Sequence, residues 1–341
     1  MVGASRDGNV KTLQKLEKSL EAGNYYEAQQ RIKTLHARYL AAKNYAASLD
    51  LLHSGATMQL KHDQVTCGVE LGILFVETLG KAGRKYDAAA LEQIKVLGSS
   101  FPRMHVSSTD RRKLIKSSES YLNAKSRAEG FNSFMRAAIR WCIETGGPTR
   151  GPKELHDMLS EYMWTQCPDL DLNKAAPHFV RSGHPERYAQ AVIEYMIECD
   201  PEEVDLVLAR SVLLYLTFGN LRDANFLVTE VKAALGDDKY PSSPLMQFIK
   251  YLLLTLERDA LPLLHTLREN YKDHLQRDPL LVEVVHCFSG SATRALAISQ
   301  GIDHSLLQLQ YVDNIAERFY GEQRKTGLQR VFGDFIKMFS E

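Results

Sequence analysis

The chain has 341 residues, 44% hydrophobic and 25% charged, with 42 basic side chains against 42 acidic ones. That profile belongs to an ordinary globular protein and excludes disorder over most of its length. No run of 18 apolar residues occurs, and no apolar stretch follows the first charges, so neither a membrane span nor a signal peptide is expected.

The zero net charge conceals a segregation. Residues 1–153 carry 24 basic and 14 acidic side chains, residues 154–238 carry 6 and 16, and the remainder 12 and 12. A basic block is thus joined to an acidic one, which suits either solvated helix faces or the steering of charged partners. Nucleic acid is not an expected partner, because no recognition module and no run of five like charges is present. Five cysteines lie at least 25 positions apart with no CxxC pair. Reduced, mostly buried thiols in the cytosol are expected, with no metal centre.

Apolar residues recur at helical spacing along nearly the whole chain. In chain order the stripes are Leu13, Leu16 and Leu20; Ala28, Ile32, Leu35 and Tyr39; Tyr45, Leu49, Leu52 and Ala56; then Leu71, Leu74, Phe75 and Leu79. Later come Phe134, Ala138 and Trp141; Tyr188, Val192, Tyr195 and Cys199; Val204, Val207, Ser211, Leu214 and Phe218; and Leu261, Leu264, Leu267 and Tyr271. The tyrosines and tryptophans of these stretches, Tyr25, Tyr26, Tyr39, Tyr45, Trp141 and Trp164, read as core rather than as stacking platforms.

The breaks at Gly23-Asn24, Lys43-Asn44, Gly219-Asn220 and Arg258-Asp259 are too short for anything but tight turns, so neighbouring helices must pack antiparallel. Asp200-Pro201-Glu202-Glu203 reads as a helix start, with Asp200 as the cap and Glu203 reaching back. GNYYEA (23–28) and GNLRDA (219–224) share a tetratricopeptide-like opening, and NYAAS (44–48) approximates it, yet no 34-residue period holds. The expected fold is all-α: an irregular right-handed α-solenoid of stacked antiparallel hairpins. Its halves are expected at 1–150 and 151–341, divided by the Gly- and Pro-rich stretch 143–153, with a second polar loop at 235–244.

Catalytic signatures fail. The stretch from Gly146 to Gly151 has the spacing of a phosphate loop, but Pro152 follows the second glycine where lysine is needed, and it reads as a hinge. No GxGxxG, HExxH or GxSxG occurs. The closest histidine pair, His178 and His184, is spaced wrongly for one helix face and reads as structural. No cofactor is expected, and no catalytic or metal residue is assigned.

One resemblance rests on collinear segments: GNYYEAQQ (23–30), HDQVTCGVELGILFVETL (62–79), KELHDMLSEYMW (153–164), HFVRSGHPE (178–186), ARSVLLYLTFGNLRDAN (209–225), and IAERFYG with FGDFIKMF between 315 and 339. In these the chain resembles subunit four of the guided-entry pathway for tail-anchored proteins, the Golgi-to-ER traffic protein four family, and its plant or algal branch. The resemblance implies a non-catalytic cytosolic adaptor without membrane insertion. Such adaptors bridge a targeting ATPase, at the N-terminal half, to a ubiquitin-like subunit at the C-terminal half; animal members also bind a large chaperone scaffold. It places Glu70 and Glu77, two turns apart on one face, and the basic Arg31, Lys33 and Arg38 toward the ATPase, with a solvated helix face as the plain alternative for each. It places Asp237, Asp238 and Tyr240 toward the ubiquitin-like subunit, in a loop that is short for a clasp. About thirty residues near 281–310 have no counterpart in the family pattern. Two other classes stay open: a scaffold subunit of a proteasome-lid-like or signalosome-like complex, disfavoured by the absence of a winged-helix strand pattern, and an enzyme with a dispersed site.

Overall fold

A computed structural model of the chain describes residues 13–104, 118–169, 171–258 and 261–278, and among these no residue lies in a strand. They divide into two compact units, one running to Gly183 and the other starting at His184.

The first unit opens on a regular count. After a helical stretch at 13–21 come α1 (Tyr25–Ala41), α2 (Tyr45–Lys61) and α3 (Val65–Lys81), each 17 residues long. The turns place a left-handed residue at Gly23 (φ 81°), Lys43 (φ 54°), Asp63 (φ 59°) and Gly83 (φ 63°), so one turn recurs every 20 residues. In each turn the next residue donates its N–H to the carbonyl five positions back: Asn24 to Ser19, Asn44 to Tyr39, Gln64 to Gln59 and Arg84 to Leu79. The left-handed residue donates three positions back, which satisfies carbonyls that the helix end would otherwise leave open. Asn44 also accepts from Ala47 N–H at 3.3 Å, whereas Asn24 makes no side-chain cap.

Small residues let these helices approach. A Cβ on Gly55 would lie 2.7 Å from Ile32 Cδ1, and one on Gly68 would lie 2.5 Å from Leu60 Cγ. Ala28, on the shared opening motif, is fully buried, as is its counterpart Ala224. The unit continues through α4 (Ala88–Ser99, capped by Asp87), α5 (Ser118–Glu144), α6 (Lys153–Gln166) and α7 (Leu172–Ser182), with α3 on α5, α5 on α6 and α6 on α7. Its centre is aromatic. Phe131 stacks on Tyr162 at 4.0 Å between ring centroids, Phe101 meets Phe131 edge-on at 4.9 Å, and the Tyr162 hydroxyl donates to the Pro102 carbonyl at 2.7 Å. Trp141 and Trp164 are buried as expected, but Tyr26 is 70% exposed and lies outside the core.

The stretch 143–153, expected as a hinge, lies inside this first unit. Its backbone is tied down at three points: Gly147 N–H donates to Cys142 O at 2.8 Å, Thr145 O accepts from Tyr86 N–H at 3.2 Å, and Arg150 O lies 2.8 Å from His156 Nε2.

The second unit contains α8 (Pro185–Glu198), α9 (Val204–Thr217), α10 (Leu221–Lys239), α11 (Pro244–Glu257), α12 (Leu261–Asn270) and the short α13 (Lys272–Leu275). Nearly every residue of α9 from Asp205 to Leu216 is buried, and α8, α10 and α11 pack around it, which is why its sequence is apolar on all sides. Tyr188 of α8 meets Tyr215 of α9 at 5.5 Å. The helix start expected at Asp200 is corrected: α9 begins at Val204, and 201–203 form a turn in which Glu203 N–H donates to Asp200 O at 2.9 Å. The competing interaction is tertiary, because Arg277 takes the Glu202 carbonyl at 3.0 Å and the Asp205 carboxylate at 2.8 Å. The polar loop expected at 235–244 is also shorter. Helix α10 runs through Lys239 with a break at Gly236 (φ 70°, ψ 169°), and Ser243 already caps α11 ahead of Pro244.

Candidate functional site

The family-implied residues of the first unit meet where α1 lies against α3. Gln29, Lys33 and His36 succeed one another at four- and three-residue steps, which puts them on one face of α1. Glu70, Glu77 and Lys81 follow on the outward side of α3. Gln29 is only 3% exposed and donates Nε2–H to Glu70 Oε2 at 2.6 Å, while Lys33 Nζ forms an ion pair with Glu70 Oε1. Glu77 pairs within its own helix, 3.9 Å from Lys81, with both side chains about half exposed. Between the two pairs, buried His36 bonds through Nδ1 to Ser48 Oγ of α2 at 2.7 Å. Burial pushes the His36 pKa down, Lys81 adds to that, and Glu77 opposes it. Cys67, one turn before Glu70, has its thiol pushed up by burial first and by Glu70 second. The face is a strip of alternating charge over a buried histidine.

The structure brings Lys33, Glu70 and Glu77 together on this strip. It places Arg31 and Arg38 elsewhere: seven residues apart, they share the outer flank of α1, both exposed, with neither directed at α3. The three basic residues therefore present two surfaces. Sequence reading names Glu70 without its partners, because Gln29 reads only as a polar residue in an amphipathic helix.

In the second unit, Asp237 and Asp238 occupy the helical turn after the Gly236 break, and Tyr240 ends it. Asp237 is highly exposed and 3.2 Å from Lys232, and Tyr240 is half-buried with its phenol pushed up by that burial. These three residues form the end of a helix rather than a projecting loop. The insertion expected near 281–310 and the motifs at 315–339 lie outside the described residues.

No group of three or more His, Cys, Asp or Glu side chains suited to a metal ion occurs among the described residues, and no helix there is long and apolar enough to cross a membrane. The four described cysteines form no disulfide; Cys142 and Cys167 are buried, and burial pushes the Cys142 thiol up to about 12. His178 does have a histidine partner, but it is His156 and not His184.

Comparison with known proteins agrees with this architecture. Residues 42–286 match the family described as Golgi to ER traffic protein 4. Protein GET4 of Arabidopsis thaliana is 43% identical over 333 residues, covering 96% of this chain and 94% of its own length. The Golgi to ER traffic protein 4 homolog of Dictyostelium discoideum is 31% identical over 271 residues, covering 79% of this chain and 78% of its own. In fold, the chain is similar to a crystal structure of C. therm. Get4, with a TM-score of 0.64 at 21% identity over 96% of this chain and 95% of that one. The chain belongs to the Golgi to ER traffic protein 4 family.

Proposed function

We propose that the chain is a non-catalytic cytosolic adaptor of Golgi-to-ER traffic. In this reading it serves the targeting of tail-anchored proteins to the ER, with the first unit docking a targeting ATPase and the second a ubiquitin-like subunit. A large chaperone scaffold is a further candidate partner. The observation that carries the reading is the strip between α1 and α3, where Glu77 and Lys81 stay about half exposed beside the pair that Lys33 and Glu70 form. Exposed charges of alternating sign set register and encounter rate, while residence time depends on apolar anchors nearby. Arg31 and Arg38 add a cationic flank for acids on the same partner. Within this reading Glu70 and Glu77 differ: Glu70 is committed to α1, so Glu77 is the freer acid for a partner's cation.

The test mixes the full-length protein with the targeting ATPase and measures association at low and moderate salt. Glu77→Lys and the pair Arg31→Glu with Arg38→Glu are expected each to weaken binding by about tenfold, mainly through the on-rate, with the loss shrinking as salt rises. Binding indifferent to salt and to both sets of reversals would remove this face from the interface. A parallel mixture with the ubiquitin-like subunit, using Asp237→Lys with Asp238→Lys, tests the second unit separately.

A further inference from the structure

Apart from the docking strip, the first unit holds a pocket of about 300 Å³ between the helical stretch at 13–21 and α2. The strip lies where α1 meets α3, and the two share no residue. Helix α2 lines the pocket with His53, Ser54, Thr57, Met58 and Lys61, whose steps of one, three, one and three residues put them on one face. His62, which ends α2, completes that wall. The facing wall is Glu17 and Leu20, one turn apart on the first helical stretch. The His53 ring is held from behind. Its Nε2 lies 3.0 Å from the Gln93 carbonyl of α4, which can only accept, so Nε2 carries the hydrogen, and the ring leans on Phe75 at 5.5 Å between centroids.

The fold leaves polar groups around this pocket unused. Thr34, Thr78, Thr145 and Thr165 each donate to the carbonyl four positions back, whereas the Thr57 hydroxyl is buried without a partner. A buried polar group without a bond is an exception in a folded chain and calls for a reason. Glu17 and Lys61, both exposed, carry opposite charges on opposite walls, and among the described residues neither forms an ion pair or a side-chain hydrogen bond. Leu20 and Met58, three residues from Glu17 and Lys61 respectively, supply apolar surface beside each charge. A simple carboxylate would meet Glu17 as a like charge, and a simple amine would meet Lys61 in the same way.

We propose that this pocket binds a small zwitterion with an aliphatic body, of the class of a free amino acid. The ligand's carboxylate pairs with Lys61, its ammonium with Glu17, and its side chain lies on Leu20 and Met58. Both polar contacts are charge-assisted, the stronger kind of hydrogen bond. The Thr57 hydroxyl gains in the bound carboxylate the partner that the fold withholds. Sites for small molecules begin at about 300 Å³, which suits a ligand of this size. The end of a polypeptide carries only one of the two charges, so the occupant is a free amino acid and not the terminus of a partner. Because the pocket and the docking strip have no residue in common, the proposal stands apart from the adaptor reading.

The experiment titrates the full-length protein, carrying labelled methionine, with L-leucine and follows the Met58 methyl group by NMR. A saturable response is expected, with a dissociation constant on the order of 1 mM. Isocaproate, which lacks the ammonium, and isopentylamine, which lacks the carboxylate, are expected each to bind about tenfold more weakly or worse. Glu17→Gln and Lys61→Gln, both at exposed side chains, are expected to weaken leucine about tenfold each while leaving the melting temperature of the free protein unchanged. Thr57→Val, which removes the buried hydroxyl, is expected to weaken it severalfold. N-acetyl-leucine and leucine amide stand in for the two ends of a polypeptide, and either one binding as tightly as leucine overturns the proposal in favour of a partner's terminus. A response that does not saturate, or one that both charge variants leave unchanged, overturns it as well.

Discussion

Lys33 on α1 and Glu70 on α3, 37 residues apart, form an ion pair across the hairpin stack, and the other oxygen of the same carboxylate accepts from buried Gln29. The carboxylate is thereby as much a packing element as a surface charge. Both members of the ion pair are partly exposed, so the pair itself contributes only about 0.2–1 kcal/mol. The Gln29 amide is different, since removing its acceptor leaves a buried donor unsatisfied at about 1–3 kcal/mol. Glu70→Ala is therefore expected to lower stability by about 2 kcal/mol in urea unfolding. Glu70→Gln, which retains an oxygen for Gln29, is expected to cost less than about 1 kcal/mol. Equal losses in the two variants would show that Gln29 does not depend on this acceptor.

Stability of the first unit is expected to depend on pH through His156 and His178. Burial first, and nearby cations after it, hold His156 down to about 4 and His178 down to about 3, against an ordinary value of 6.5. The unfolded chain therefore binds protons that the folded chain refuses, and unfolding free energy rises with pH. The contribution is complete above about pH 7 and is lost as pH falls through 6.5 toward the folded values. With two protons involved, the slope reaches at most about 2.7 kcal/mol per pH unit near pH 5. Urea midpoints taken between about pH 7 and about pH 5 are expected to fall steeply in the natural protein and about half as steeply in His178→Asn. Parallel profiles would separate acid destabilisation from this pair.

Much of the fold was legible because helix period and turn residues act locally. The turns at Gly23-Asn24, Lys43-Asn44 and Gly219-Asn220 stand where glycine or asparagine announces them. The third member of the 20-residue series, at Asp63-Gln64, carries neither residue, and without it the repeat is invisible. Asp63 tolerates φ 59° and pairs with Arg127, a long-range contact that no local pattern reports. Tertiary contacts explain the other departures. Asp200 has the chemistry of a cap, but Arg277 binds the Glu202 carbonyl and Asp205, and the helix starts later. Glu70 and Glu77 could be placed on one face by spacing alone; that only Glu70 reaches back to Gln29 and Lys33 requires knowing which helices touch. The histidine pair was unreadable for the same reason, its members being 22 residues apart on different helices.

A crossed pair of ion pairs fastens the segment that follows α13 to α9. Arg277 binds Asp205 at 2.8 Å, and Arg210 binds Asp278 at 2.6 Å. Asp205 is 5% exposed and Asp278 2%. Withdrawing a guanidinium from a carboxylate that deeply buried costs about 3 kcal/mol, discounted here because the arginines reach solvent. Arg210→Met is expected to lower stability by about 2–3 kcal/mol, and Arg210→Met combined with Asp278→Leu to recover part of that loss. A double-mutant cycle read by urea unfolding checks the coupling. Strictly additive losses would mean that the two side chains act independently.

The repeated turn makes its own prediction, because the same left-handed position is filled by glycine at 23 and 83 but by lysine at 43. Lys43 sits at φ 54°, where a Cβ crowds the following carbonyl and costs about 1–2 kcal/mol relative to glycine. Glycine also has more freedom to lose from the unfolded chain, which offsets roughly half of that gain. Lys43→Gly is therefore expected to raise stability by about 0.5 kcal/mol, and Gly23→Ala, at φ 81° with open space around it, to lower it by about 1 kcal/mol. Gly68→Ala should cost more, about 1–3 kcal/mol, because its Cβ would meet Leu60 Cγ at 2.5 Å between packed helices and outweigh the better helix propensity of alanine. The order of the three variants in thermal unfolding is the check. If Gly68→Ala were the most stable of them, close approach of α2 and α3 would not be what that glycine provides.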